Sequence, residues 1–209
     1  MRLILIRHGE TEWNAERRLQ GHADAPLSER GMVQARRAAA FFAAEPAPGL
    51  VVSSDLGRAR RTAEILGFPD AVTDPRLREM DLGDWTGRFI AEIEAEDRHA
   101  YRDWRLGTHT PPRGETWQAF RGRVGAAIAD ILARAPGDAV VVTHEGVVRA
   151  TCDVLVGLAP QSLAPLVPGA VTVFAVNCAV SPAAARLLTF NYVSAPDDLK
   201  IRGLDHAPV

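Results

Sequence analysis

The run Leu3-Ile4-Leu5-Ile6 followed by Arg7-His8-Gly9-Glu10-Thr11 decides the fold. Four branched, uncharged residues in a row read as a strand buried on both faces, the pattern of a parallel sheet. The strand ends in an Arg-His pair. Open α/β sheets place their ligands at the carboxyl ends of their strands, so the pair is a candidate site. A histidine there can act as nucleophile, base or ligand. The neighbouring guanidinium is a planar fork suited to phosphate or carboxylate, so the expected partner is an anion.

Working outward, the same logic recurs along the chain. Leu50-Val51-Val52-Ser53 and Ala139-Val140-Val141-Val142-Thr143 are two more apolar runs, and Ala71-Val72-Thr73 is a weaker one. The second of these ends at His144. Between them lie helical stretches: Ser28, as N-cap, to about Ala44; a helix capped by Ser54-Asp55 that carries Arg58; two pieces from Phe89 to Glu96 and Arg98 to Leu106; and Thr116 to Ala133, with an apolar stripe at Phe120, Val124, Ile128 and Ile131. A further helix begins near Gly146, and Val171–Val176 and Arg186–Tyr192 read as late strands. This alternation predicts an α/β fold, a three-layer sandwich with a mostly parallel sheet and helices on both faces. His8, His144 and Arg58 should then converge on one sheet edge. Residues 76–115 are expected to form a small cap over it. No linker divides residues 1–209, so a single domain is expected; the tail after Pro196 is expected to be loosely held.

Bulk properties exclude several classes. A 209-residue chain with 47% hydrophobic and 24% charged residues suits one soluble α/β domain. The formal net charge of −2 gives no global attraction to nucleic acid or to an anionic membrane, so any anion site is local. No stretch approaches the roughly 20 apolar residues that span a bilayer, and no leader is visible, so a cytoplasmic location is expected. Cys152 and Cys178 form neither a disulfide framework nor a metal spacing and read as buried thiols in a reducing compartment. His22, His99, His109 and His206 lack a ligand pattern and are expected at the surface, as are Arg60 and Arg61.

These residues together resemble the histidine phosphatase superfamily, its phosphoglycerate mutase-like branch. The R-H-G-E-T motif is Arg7 to Thr11. The S-D-L-x-R-A-x-x-T-A segment runs from Ser54 to Ala63 and contains Arg58. An acidic residue, Glu79, precedes the turn Gly83-Asp84-Trp85-Thr86-Gly87, and Thr143-His144-Glu145-Gly146-Val147-Val148-Arg149 fits T/S-H-x-G-x-x-R. Pro26-Leu27-Ser28 and Pro112-Arg113-Gly114-Glu115-Thr116 match family blocks in order.

The resemblance implies roles. His8 would be the nucleophile that forms a phosphohistidine, with its other ring nitrogen held by the Gly9 carbonyl. Arg7, Arg58 and His144 would bind the phosphoryl oxygens, joined by Asn14, Gln20, Gly21 and Glu145. Glu79 would be the general acid and base, with a raised pKa; Asp81 and Asp84 compete for that role. Glu145 stands where many relatives have glycine, and its side chain is expected to point away from the phosphate. Neither a metal nor a cofactor is needed, since arginines supply the positive charge. The expected partner is a small phosphate ester, and a homodimer is left open.

The expected activity is therefore a metal-independent phosphomonoesterase. Met80-Asp81-Leu82-Gly83 follows the acid where the mutases carry Arg-His-Tyr-Gly, which disfavours the alternative, a cofactor-dependent phosphoglycerate mutase. A catalytically dead phospho-ligand binding module is the third reading.

Overall fold

The computed structural model describes residues 1–43, 45–179 and 184–194. In chain order the elements are β1 (Arg2–Arg7), α1 (Glu12–Ala15), α2 (Glu29–Ala39), β2 (Leu50–Ser53), α3 (Gly57–Ile65), β3 (Val72–Thr73), α4 (Ile90–Glu96), α5 (Ala100–Arg105), α6 (Trp117–Arg134), β4 (Ala139–Thr143), α7 (Glu145–Val156), β5 (Val171–Asn177) and β6 (Ala184–Tyr192). Six strands form one mixed sheet in the order β3-β2-β4-β1-β5-β6. The first four in that order pair in parallel, while β5 runs antiparallel to both of its neighbours, β1 and β6.

Because strand side chains alternate between faces, β1 and β4 feed two cores. Leu3, Leu5 and Val141 pack with Phe120, Val124 and Ile128 of α6 and Val147 and Cys152 of α7. Ile4, Ile6, Val140 and Val142 pack on the other face with Ala38 of α2 and Ala63 of α3. A strand covered on both sides cannot carry a charge until it ends, which is why the charged and polar groups gather at the carboxyl edge. Ser28 and Thr116 cap α2 and α6, each hydroxyl accepting from the backbone three residues on.

Several expectations change in detail. α3 starts at Gly57, and neither Ser54 nor Asp55 is its N-cap. Its first amides are taken by Asp24, whose Oδ1 accepts from Arg58 N at 3.1 Å and whose Oδ2 accepts from Gly57 N. Asp55 instead pairs with Arg78 at 2.6 Å. Cys178 is exposed rather than buried, because it follows the end of β5; Cys152 is buried, and burial pushes its thiol up to about 12. Residue 44, His206 and the tail after Pro196 lie outside the described residues. Among the described residues no helix is long and apolar enough to cross a membrane.

Candidate active site

The β1–β4 register pairs Arg7 with Thr143, so the next residues, His8 and His144, emerge side by side. His8 N donates to Thr143 O at 2.8 Å, and the two imidazoles meet edge to face with centroids 5.1 Å apart. β2 lies on the other side of β4, and Ser54 N donates to Val142 O at 2.9 Å. The Ser54 hydroxyl thereby reaches His144 Nε2 at 2.9 Å. Parallel pairing alone brings three distant segments to one edge.

His8 Nδ1 lies 2.7 Å from Gly9 O. A carbonyl only accepts, so Nδ1 carries the proton and Nε2 keeps its lone pair. Burial, then the Arg58 and Arg7 guanidiniums, hold His8 well below the ordinary histidine range, so the ring is neutral at pH 7. Burial, Arg58, His8 and Arg7 do the same to His144. Ser54 Oγ accepts from Leu56 N at 3.3 Å and can donate its own proton to His144 Nε2. That leaves His144 Nδ1–H as a buried donor without a partner among the described residues.

Arg58 is almost wholly buried on α3. Its Nη1 donates to Ala23 O at 2.6 Å and its Nη2 to Gly21 O at 2.8 Å. Gly21 adopts φ +51°, a left-handed turn that glycine accommodates without strain, and this turn aims its carbonyl at Arg58. Arg7 Nη1 donates to Leu166 O and pairs with Glu145 Oε2 at 3.0 Å. With both guanidiniums anchored by their tips, Arg7 Nε and Arg58 Nε are left buried and unpartnered among the described residues. Together with His144 Nδ1 they form a set of donors that suits an anion.

Arg7, His8, Arg58, Glu79, Asn14 and Gln20, among others, line a cleft of about 880 Å³, and His144, wholly buried, adjoins it through His8. Glu79 Oε2 accepts from Gly146 N at 3.2 Å and Oε1 from Met80 N at 3.0 Å. Its carbonyl accepts from Arg123 Nη2 and His22 Nε2, each at 2.9 Å, so His22 braces the acid's backbone rather than lying idle at the surface. The rivals are placed elsewhere: Asp81 Oδ1 accepts from Gly83 N, and Asp84 pairs with Arg113. Neither lines the cleft. His109 stacks on the buried Trp85, centroids 5.3 Å apart, and Arg60 and Arg61 are exposed. Asn14 Oδ1 accepts from Thr11 N at 3.1 Å in a capping box, so only its Nδ2 can serve an anion. Gln20 is buried with Oε1 unpartnered among the described residues.

Glu145 departs from expectation. Its side chain does not turn away from the site; it lies between Arg7 and Arg105, with Oε1 2.6 Å from Arg105 Nη2. Burial alone would raise its pKa, but Arg105 and Arg7 outweigh burial and hold it at about 2. Two guanidiniums are what permit the carboxylate to stay inside. Arg105, from α5 in the cap, was not visible as a site residue, since it stands in an ordinary charged helical pattern. Arg149 had a signal, its place in the T-H-x-G-x-x-R setting; its Nη2 donates to Arg105 O at 3.0 Å and Pro160 O at 2.7 Å. Among the described residues no group of three His, Cys, Asp or Glu side chains could hold a metal ion.

A model of the histidine phosphatase superfamily (branch 1) matches residues 3–180. A probable phosphoglycerate mutase, GpmB, of Enterobacter sp. (strain 638) is 38% identical over 156 residues, which cover 70% of each chain. Among solved structures, a mycobacterial glucosyl-3-phosphoglycerate phosphatase in complex with VO3 superposes with a TM-score of 0.81 at 33% identity, covering 91% of this chain and 98% of the other. YhfR of Bacillus stearothermophilus superposes with a TM-score of 0.82 at 31% identity, covering 92% and 98%.

Proposed function

Because the chain belongs to the histidine phosphatase superfamily, branch 1, we propose that it hydrolyses a small phosphomonoester through a phosphohistidine on His8, without a metal. The observation that carries this reading is the neutral His8 ring, with Nδ1–H tied to Gly9 O and Nε2 free, beside the unpartnered donors of Arg7, Arg58 and His144.

His8 Nε2 attacks phosphorus, and the bond from phosphorus to the alcohol oxygen breaks. Arg7 and Arg58 hold the phosphoryl oxygens in line, and His144 Nδ1–H adds a third donor. Because these donors are fixed before the substrate arrives, little reorganisation is left for the transition state. Glu79 gives its proton to the departing alkoxide. It then takes a proton from water, whose oxygen attacks phosphorus as the phosphorus–nitrogen bond breaks. Inorganic phosphate is released, and neutral His8 and the acid form of Glu79 are regenerated.

A mutase reading has the relatives' name in its favour and would return the phosphoryl group to the alcohol. The run Met80-Asp81-Leu82-Gly83 after Glu79 speaks for water as the acceptor. The test is a panel of phosphomonoesters assayed with chelator present, with rapid quench of labelled substrate. Labelled His8 and released phosphate are the expected products. Transfer back to 3-phosphoglycerate would make it a mutase; binding with no labelled histidine would make it a binding module.

A further inference from the structure

The phosphatase reading leaves the alcohol unnamed, and Glu145 narrows it. We propose that Glu145 is a specificity-determining residue: its carboxylate, held between Arg7 and Arg105, excludes phosphomonoesters whose alcohol carries a second anionic group and leaves the cleft to uncharged alcohols with an apolar face. This rests on the phosphatase reading.

The first argument is position. Glu145 follows His144 directly, and the next residue, Gly146, donates to Glu79 Oε2. Glu145 thus lies in the chain between His144, a proposed hydrogen-bond donor to the phosphoryl group, and Gly146, whose N–H holds Glu79. Its two oxygens reach in different directions, Oε2 to Arg7 on the floor and Oε1 to Arg105 on the cap helix. The carboxylate thus bridges the floor of the site and the cap helix along one wall of the cleft.

The second argument is charge. The inner cleft holds four guanidiniums, those of Arg7, Arg58, Arg105 and Arg149, and Glu145 sets a carboxylate against two of them, Arg7 and Arg105. The carboxylate of Glu145 cancels one of those positive charges, and both histidines are neutral. Arg105, on the cap helix α5, is already paired with Glu145. A carboxylate or second phosphate on the alcohol would meet an ionised side chain whose partners are taken. Selectivity of this kind comes from repulsion built into the site.

The third argument is the wall beyond. Met80, Leu82, Ile90, Tyr101, Trp104 and Trp117 line the cleft past the charged floor. Farther out the rim is mixed, with Arg17, Arg18 and Arg30 set against Glu10 and Glu94. A cleft of about 880 Å³ with that wall suits an alcohol with an apolar surface better than a three-carbon acid.

The test compares glycerol 3-phosphate with 3-phosphoglycerate, which differ by a hydroxymethyl group against a carboxylate. The wild type should favour glycerol 3-phosphate in kcat/KM. In Glu145→Gln the ratio should move toward 3-phosphoglycerate by about tenfold or more, the scale of one like charge in a partly screened site. Glu145→Asp keeps the charge and should hold the ratio within about threefold of wild type. Preference of the wild type for the acid, an unmoved ratio in Glu145→Gln, or equal shifts in Gln and Asp would overturn the proposal. Should Glu145→Gln fail to fold, Arg105→Met serves. It leaves Glu145 with one guanidinium fewer and should disfavour 3-phosphoglycerate further; improved use of the acid would again overturn it. If the wild type hydrolyses neither ester, the phosphatase reading fails by itself. The affinities of the two esters for wild type and variants, measured by calorimetry, then decide the role of Glu145 with the same expected ratios.

Discussion

His8 and His144 meet edge to face, 5.1 Å between ring centroids, at the ends of neighbouring parallel strands. Both are buried, and both stand next to Arg58 and Arg7. Their neutrality is a property of this placement. Two imidazolium ions at that separation, with two guanidiniums beside them, would repel strongly.

A pH dependence of stability follows. The unfolded chain protonates these histidines as pH falls through about 6.5, while the folded protein keeps them neutral. The unfolded state then binds more protons, so stability is lost as pH drops below about 6.5. Each histidine contributes up to about 1.4 kcal/mol per pH unit in that window. His144→Gln should remove one of the two contributions. Urea unfolding of wild type and variant at pH 7.5 and 5.5 gives the difference; an equal loss in both proteins would mean His144 is protonated in the fold.

His8→Ala should abolish turnover, since among the described residues no other histidine lines the cleft, but it should leave Arg7, Arg58 and His144 in place. Inorganic phosphate should still bind, and calorimetry would show it. Residual steady turnover would move the nucleophile elsewhere.

How far the sequence carried this reading depends on the range of the interaction. The all-apolar runs at β1 and β4 announce a doubly covered sheet, and their terminal histidines fall where parallel pairing puts them. The reversed direction of β5, antiparallel to both β1 and β6, is set by pairing that no local pattern encodes. His8 and Gly9 O are neighbours in sequence, so the tautomer was legible. Arg105 and Glu145 are 40 residues apart, and nothing in either segment marks the pair. The same holds for Asp24, which reaches α3 from a loop more than thirty residues earlier.

Asp24 is therefore a positioning residue for Arg58. It caps α3 from outside and lies 3.5 Å from Arg58 Nη1. Asp24→Ala should cost about 1 kcal/mol of stability, the worth of a lost N-cap. It should raise KM more than it lowers kcat, because Ala23 O and Gly21 O still hold the guanidinium tips. Asp24→Asn, which keeps an acceptor, should recover most of both. A fall in kcat alone would argue for a direct part in the chemistry.

The last expectation concerns Glu79 and the backbone that aims it. Glu79→Gln preserves size but cannot donate a proton to an alkoxide, so alkyl phosphates should slow by about 10² to 10⁴-fold. p-Nitrophenyl phosphate has a good leaving group and needs little protonation, so its first step should slow much less. The phosphohistidine should then accumulate, because Glu79 is also the proposed base for water. Gly146→Ala offers an independent approach. A Cβ at that position would collide with Glu79 Oε1 and press on Phe120, which stands 3.2 Å away. The carboxyl must move, while its chemistry stays intact. Gly146→Ala should therefore reproduce the leaving-group dependence in weaker form. Single-turnover kinetics of both variants on both substrate types distinguishes the cases. Equal slowing of the two substrates would remove Glu79 from the acid role, and Asp81→Asn and Asp84→Asn, tested alongside, would show whether either aspartate takes it.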